Sequence, residues 1–222
     1  MLILSIETAT TNCSVALSKE GETIALIEDY DKGYSHAERL HAYIDQILSE
    51  GNIDKSQLDA IAVSKGPGSY TGLRIGVSTA KGLAYALEKP LISVSTLESL
   101  SRQVNIEGGY IIPMLDARRM EVYSAVFNAD FSLARDIKAE VLEENSFQEY
   151  LEKEKVYFIG NGVEKTKTII THPNAVFIDA KLPSANEMGS IAYKKYKVNN
   201  FEDVAYFEPY YLKDFVAIKS KK

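Results

Sequence analysis

The chain has 222 residues, 45% of them hydrophobic and 25% charged, a composition that suits one large or two small folded domains and argues against disordered, collagen-like or repeat classes. With 25 Lys+Arg against 31 Asp+Glu the net charge is -6, which weighs against broad autonomous binding to nucleic acid, because such binding rests on neutralising phosphates. The opening MLILSIETATT has neither a basic leader nor a cleavage-like segment, and no apolar run approaches the roughly 18 residues of a membrane span. One cysteine, Cys13, and three scattered histidines argue against a disulfide or a structural zinc cluster. A cytoplasmic location away from the membrane is expected.

In chain order, residues 2–7 (LILSIE), 13–18 (CSVALS) and 22–30 (ETIALIEDY) read as a three-strand meander. From Ser35 the period changes. Leu40, Tyr43, Ile44, Ile47 and Leu48 share one helical face, and Gly51 stands just beyond. A buried strand is expected at 58–64, a helix at 71–87 stopped before Pro90, a strand at 91–94 and a helix at 95–104. After Gly108-Gly109 the same order recurs: strands near 110–116, 120–127 and 135–142, helix 146–153, strand 155–160, helix 162–171, strand 175–178 and helix 184–198. Ser35/Glu38, Ser95/Glu98 and Ser184/Glu187 have capping-box spacing at helix starts. The expected fold is therefore α/β, with two ribonuclease-H-like βββαβαβα lobes at 1–105 and 106–222. The pattern resembles the actin, Hsp70 and sugar-kinase superfold, whose halves enclose a nucleotide cleft. Fold alone does not make such a cleft work.

Gly66, Gly68, Gly72, Gly76 and Gly82 place five of the thirteen glycines in the run GPGSYTGLRIGVSTAKG. Glycines between a strand and a helix let backbone N–H groups approach an anion. Yet the loop has neither the Walker ending nor the dinucleotide spacing. Within the helix, Gly72, Gly76, Ala80 and Ala84 recur every four residues and form one small-residue stripe. Helical glycine costs about 1 kcal/mol relative to alanine, so close packing must compensate. Two readings of that packing stand side by side: the chain's own sheet or neighbouring helix, or a helix supplied by a partner.

The run LDAIAVSKGPGSYTGLRIGVSTAKGLA (58–84), with SIETATTNCSVAL, SHAERL, VSTLESL, LDARRMEVY and EPYYL, resembles the bacterial TsaB (YeaZ) family, densely in the first half and in isolated motifs in the second. The resemblance implies a non-catalytic dimerisation subunit of the machinery that makes N6-threonylcarbamoyladenosine at position 37 of ANN-decoding tRNAs. It implies pairing with the catalytic paralogue TsaD and the ATPase TsaE, contact with tRNA only through that complex, and no cofactor on this chain, with ATP and metal on the partner subunits. The expected partner face comprises Gly72, Gly76, Ala80, Ala84 and Arg74 with His36 and Leu40 of the preceding helix. That face could also pair two copies of the chain as a homodimer.

Several residues invite catalytic readings. TsaD carries a His-x-x-x-His metal pair after its own GPG helix, and aligning VSTLESL to it puts Thr96 and Leu100 at those positions. Leucine cannot ligate a metal. His36, His41 and His172 do not recreate the pair. The turns that would cradle phosphate are Glu7–Asn12 and Asp116–Arg119. Thr8, Thr10, Gly66, Gly68 and Ser69 could form a vestigial nucleotide contact, whereas Arg118 obstructs the second turn where a glycine would stand. Gly160-Asn161-Gly162 reads as an adenine-backing remnant or a plain turn. Asp116, Arg118, Arg119 and Glu121 read as a charged hairpin turn. Ser35, Ser69 and Cys13 lack a nucleophile elbow. The run YFEPYYL reads as packing in preference to base stacking, and the terminal KSKK as a solvated tail. The rival is a degenerate phosphotransferase or peptidase acting alone.

Overall fold

The computed structural model describes residues 1–30, 36–179 and 181–213. Its first sheet contains β1 (Leu2–Glu7), β2 (Cys13–Lys19), β3 (Glu22–Asp29), β4 (Ala60–Gly66) and β5 (Leu91–Ser95), in the order β3-β2-β1-β4-β5. The second contains β6 (Tyr110–Asp116), β7 (Glu121–Asn128), β8 (Leu133–Val141), β9 (Val156–Ile159) and β10 (Ala175–Ile178), in the order β10-β9-β6-β7-β8. Each sheet has an antiparallel meander and two parallel additions beside its first strand. The two lobes thus repeat one ribonuclease-H-like topology, the fold of the actin, Hsp70 and sugar-kinase group.

The helices are α1 (His36–Glu50), α2 (Tyr70–Ala86), α3 (Thr96–Ser101), α4 (Gln148–Leu151), α5 (Val163–Lys167) and α6 (Met188–Lys197), with a 3-10 turn at Lys55–Gln57. The later helices are shorter than their sequence signals. Ser95 caps α3 by accepting from the Glu98 amide at 3.4 Å. Ser184 instead accepts from the Asn186 amide at 3.0 Å, and α6 starts only after Glu187, so the expected cap there is corrected. Ser35 and the terminal KSKK lie outside the described residues. Among the described residues no helix is long and apolar enough to cross a membrane.

Strands buried on both faces explain the unbroken apolar runs. On β1, Leu4 and Ile6 join Leu40, Ile44, Ile47, Val77 and Ala80 in one core with α1 and α2. Ile3 faces the other way, into a core with Ala60, Ala62, Ile92, Ala185, Met188 and Ile191. The strands of the two sheets fall on either side of the expected division at 105/106, but the second of these cores crosses it, because α6 packs on the first sheet. Conversely, Leu97 and Leu100 of α3 join Ile111, Leu115, Phe127 and Ile159 of the second sheet. The segment after α6 also returns to the first lobe: the Glu202 amide donates to Leu91 O at 2.8 Å and the Tyr210 amide to Lys65 O at 2.7 Å. A helix joins whichever sheet face lacks apolar cover, irrespective of the chain half that contributes it.

Candidate functional site

Four segments meet at one end of the first lobe: the β1–β2 turn, the GPG loop, α2 and α1. Their contacts are close and involve backbone on at least one side. The Ser69 amide donates to Ala9 O at 2.7 Å. A Cβ on Gly68 would stand 2.6 Å from both the Cβ and the O of Ala9, and one on Gly72 only 2.1 Å from Thr8 O. A Cβ on Gly76 would stand 2.2 Å from Thr8 Oγ1, and that hydroxyl donates to Gly72 O at 2.8 Å. Ala80 and Ala84 continue the stripe and are fully buried.

This geometry corrects the partner reading of Gly72, Gly76, Ala80 and Ala84. The chain's own β1–β2 turn and core press on that stripe, so these four residues present no surface to a companion. His36 and Leu40 are also buried, His36 through a 2.7 Å contact from Nε2 to Thr10 O. Arg74 alone of the seven is exposed, its guanidinium donating to Tyr70 Oη at 3.0 Å.

The opposite side of α2 presents Thr71, Arg74, Ser78, Gly82 and Tyr85, all exposed and spaced by three or four residues along one face. Gly82 differs from every stripe glycine, because a Cβ there would meet nothing within 4 Å. Its helical cost of about 1 kcal/mol finds no compensation inside the chain. Beside it, α1 turns Ala37, His41, Ala42 and Asp45 to solvent. The missed signal was Gly82's position off the four-residue stripe.

The nucleotide-contact reading fares as the partner stripe does. Thr8, Thr10, Gly66, Gly68 and Ser69 are brought together, but their polar groups are spent inside the chain. Ser69 Oγ accepts from the Gly72 amide at 3.3 Å, and Thr10 Oγ1 accepts from the Asn12 amide at 3.4 Å. Gly66, at φ 109°, leaves a gap that Tyr210 O occupies 2.9 Å from where a Cβ would stand. An anion at a helix N-terminus needs open N–H groups, and those of Ser69 and Gly72 are already bonded within the chain, so an anion here would have to displace them.

The second turn is also internally satisfied. Asp116 Oδ1 accepts from the Arg118 amide at 2.8 Å and from Lys165 Nζ at 2.6 Å, and Lys165 also donates to Arg119 O at 3.0 Å and to Glu121 O. Arg118 and Arg119 occupy φ 71° and 50°, a left-handed backbone that costs an ordinary side chain roughly 1–2 kcal/mol. Gly160-Asn161-Gly162 forms the turn into α5, with Asn161 Oδ1 accepting from the Asp116 amide at 2.8 Å.

Thr96 is buried with its Oγ1 2.6 Å from Ser64 Oγ, and Leu100 is buried in the α3 core. His41 is exposed, and His172 Nδ1 accepts from the Asn174 amide at 3.2 Å. Among the described residues no three His, Cys, Asp or Glu side chains are grouped to hold a metal. Among the described residues, Glu7 and Cys13 are buried titratable groups near this end of the first lobe. Burial pushes the Glu7 carboxyl up to about 7, against the pull of hydrogen bonds from the Ala9 amide and Ser64. Burial likewise lifts the Cys13 thiol to about 12, with the Asp29 charge adding to it. Neither group is poised as a nucleophile at neutral pH.

A family model described as "TsaD: tRNA N6-adenosine threonylcarbamoyltransferase" matches residues 32–220. The "tRNA threonylcarbamoyladenosine biosynthesis protein TsaB" of Escherichia coli is 33% identical, across 99% of this chain and 97% of its own length. The Bacillus subtilis protein of the same name is 34% identical, across 77% of this chain and 75% of its own. Among solved structures, YeaZ from Pseudomonas aeruginosa superposes with a TM-score of 0.82 at 27% identity, covering 95% of this chain and 100% of that one.

Proposed function

The chain belongs to the TsaB family, and from that membership we propose that it is a non-catalytic subunit of the tRNA N6-threonylcarbamoyladenosine machinery. In this reading it scaffolds and activates the paralogue TsaD and supports binding of the ATPase TsaE. ATP and metal act on those partners, and tRNA is engaged through the assembly. The observation that carries the non-catalytic reading is the fate of Thr96 and Leu100: where the paralogue would hold a metal, this chain buries a threonine hydroxyl and a leucine in its core. The filled space between the GPG loop and Ala9 weighs in the same direction.

The docking surface in this proposal is the outward side of α1 and α2, with Arg74, Ser78 and Gly82 on α2 and His41 and Ala42 on α1. Gly82 lets a foreign backbone approach closely, and the buried stripe on the other side holds α2 rigidly against Thr8. A second copy of the chain would use the same surface, so homodimer and heterodimer compete. Reconstitution tests the function: TsaD, TsaE, the threonylcarbamoyl donor and tRNA are combined with and without this chain, and modified adenosine is measured. Formation that depends on the chain supports the proposal, and equal formation without it rejects it.

A further inference from the structure

Around the second hairpin turn, the acids close to the tip are matched by cations. Asp116 is paired with Lys165, and Glu121 with Lys213. Arg118 and Arg119 are exposed, and among the described residues no carboxylate pairs with either guanidinium. Lys165 fixes the turn from beneath through its contacts with Asp116, Arg119 and Glu121, so both charges stand on a held backbone.

The C-terminal segment leads to this turn from the first lobe. Tyr211 lies against Tyr70, their ring centroids 4.9 Å apart. Two residues later Lys213 reaches Glu121, with its Nζ 5.9 Å from the Tyr123 ring centroid. Tyr210 and Tyr211 stay 43% and 38% exposed, well above what core packing would leave them. The second hairpin thus carries two arginines with no carboxylate partner among the described residues, and the segment that ties to it through Lys213 carries two half-exposed tyrosines, with Glu208 the nearby acid on the Tyr211 side. Guanidinium groups bind phosphate through their planar donor fork, and exposed aromatic faces stack on bases or sugars. Such groups on a chain of net charge -6 fit a polyanion that meets the protein locally.

We propose that the Arg118–Arg119 tip, together with Tyr210 and Tyr211, contacts the phosphate backbone of RNA. The inference rests on the reading of this chain as part of a tRNA-modifying assembly and gives the second lobe a direct share in holding the tRNA.

The test is tRNA binding by the complex with TsaD and by the chain alone, followed by fluorescence anisotropy over a salt series. The R118N/R119N variant removes both charges with a residue that tolerates a left-handed backbone, and R118K/R119K keeps them. The expected result for R118N/R119N is unchanged circular dichroism and complex assembly, with tRNA binding weakened about 20- to 60-fold near 0.1 M salt. The slope of log K against log salt should fall by about 1.4–1.8, as for two phosphates. R118K/R119K should retain most of the slope. Unchanged affinity and slope in R118N/R119N would overturn the proposal, as would a loss confined to anionic lipid vesicles with tRNA binding intact. If the wild-type chain fails to assemble with TsaD, the proposed function fails and the comparison on the chain alone decides this inference; absence of salt-dependent tRNA binding by the wild-type protein in both forms overturns it.

Discussion

Gly76 stands so close to Thr8 that a Cβ on the glycine would lie 2.2 Å from the threonine Oγ1. That hydroxyl is held in place by its own bond to Gly72 O, so it cannot swing aside without losing a buried partner. Replacing Gly76 by alanine is therefore expected to destabilise the folded chain by roughly 1–3 kcal/mol, as overpacking does. Gly72→Ala should cost more, because the group it meets at 2.1 Å is the Thr8 carbonyl, which is backbone. Thermal or urea unfolding measures both. Unfolding midpoints equal to wild type would show that the stripe is not pressed against the β1–β2 turn.

Gly82 gives the opposite expectation on the same helix. With open space around it, Gly82→Ala gains helix propensity and meets no obstruction, so the isolated chain should become more stable by about 0.5–1 kcal/mol. Loss of stability in the unfolding midpoint would mean that this side of α2 is packed within the chain.

Glu7 should make stability depend on pH. Its folded value of about 7 lies above the ordinary 4.5 because burial disfavours the charged carboxylate. Between those values the folded state binds more protons than the unfolded one, so stability is greatest below about 4.5 and falls as pH rises to about 7. The size is roughly 3 kcal/mol. Glu7→Gln removes this titration, so the difference in melting temperature between variant and wild type should widen in the variant's favour from pH 5 to pH 8. A difference that stays flat with pH contradicts a buried, protonating Glu7.

Cys13 provides a reporter of opening. Buried in β2 with a thiol pushed up to about 12, it presents almost no thiolate at neutral pH. Labelling by a thiol reagent at pH 7.5 should be slow in the folded chain and accelerate with urea in step with unfolding. Rapid labelling of the native protein would contradict this burial.

Much of the fold was legible because its physical causes are local. β1, β4 and β6 are covered on both faces and therefore read as apolar runs, and α1 carries its core residues at helical spacing. The exchange of α3 and α6 between lobes was not legible, since an apolar helix face does not record which sheet it will cover. The small stripe on α2 was visible for the same reason and misassigned for the same reason. Its spacing shows that something approaches closely, but Thr8 lies 64 residues away in the chain. Glu7 was hidden by its place at the turn end of β1, where an acid ordinarily reaches water. The Lys213–Glu121 pair joins the C-terminal segment to the second hairpin across 92 residues, so composition alone presented these parts as a net acid chain with aromatic packing.

On the outward side of α1 and α2, Gly82 can be enlarged without disturbing the chain's own packing, because a Cβ there meets nothing within 4 Å. The affinity of purified TsaD for the wild-type chain and for Gly82→Trp, with circular dichroism and unfolding midpoints recorded on both, is the most direct measurement. The expected result is a variant that folds as the wild type does and binds TsaD at least about 100-fold more weakly, as a bulky side chain at the centre of a close helix contact requires. A folded variant that binds TsaD with undiminished affinity would contradict it.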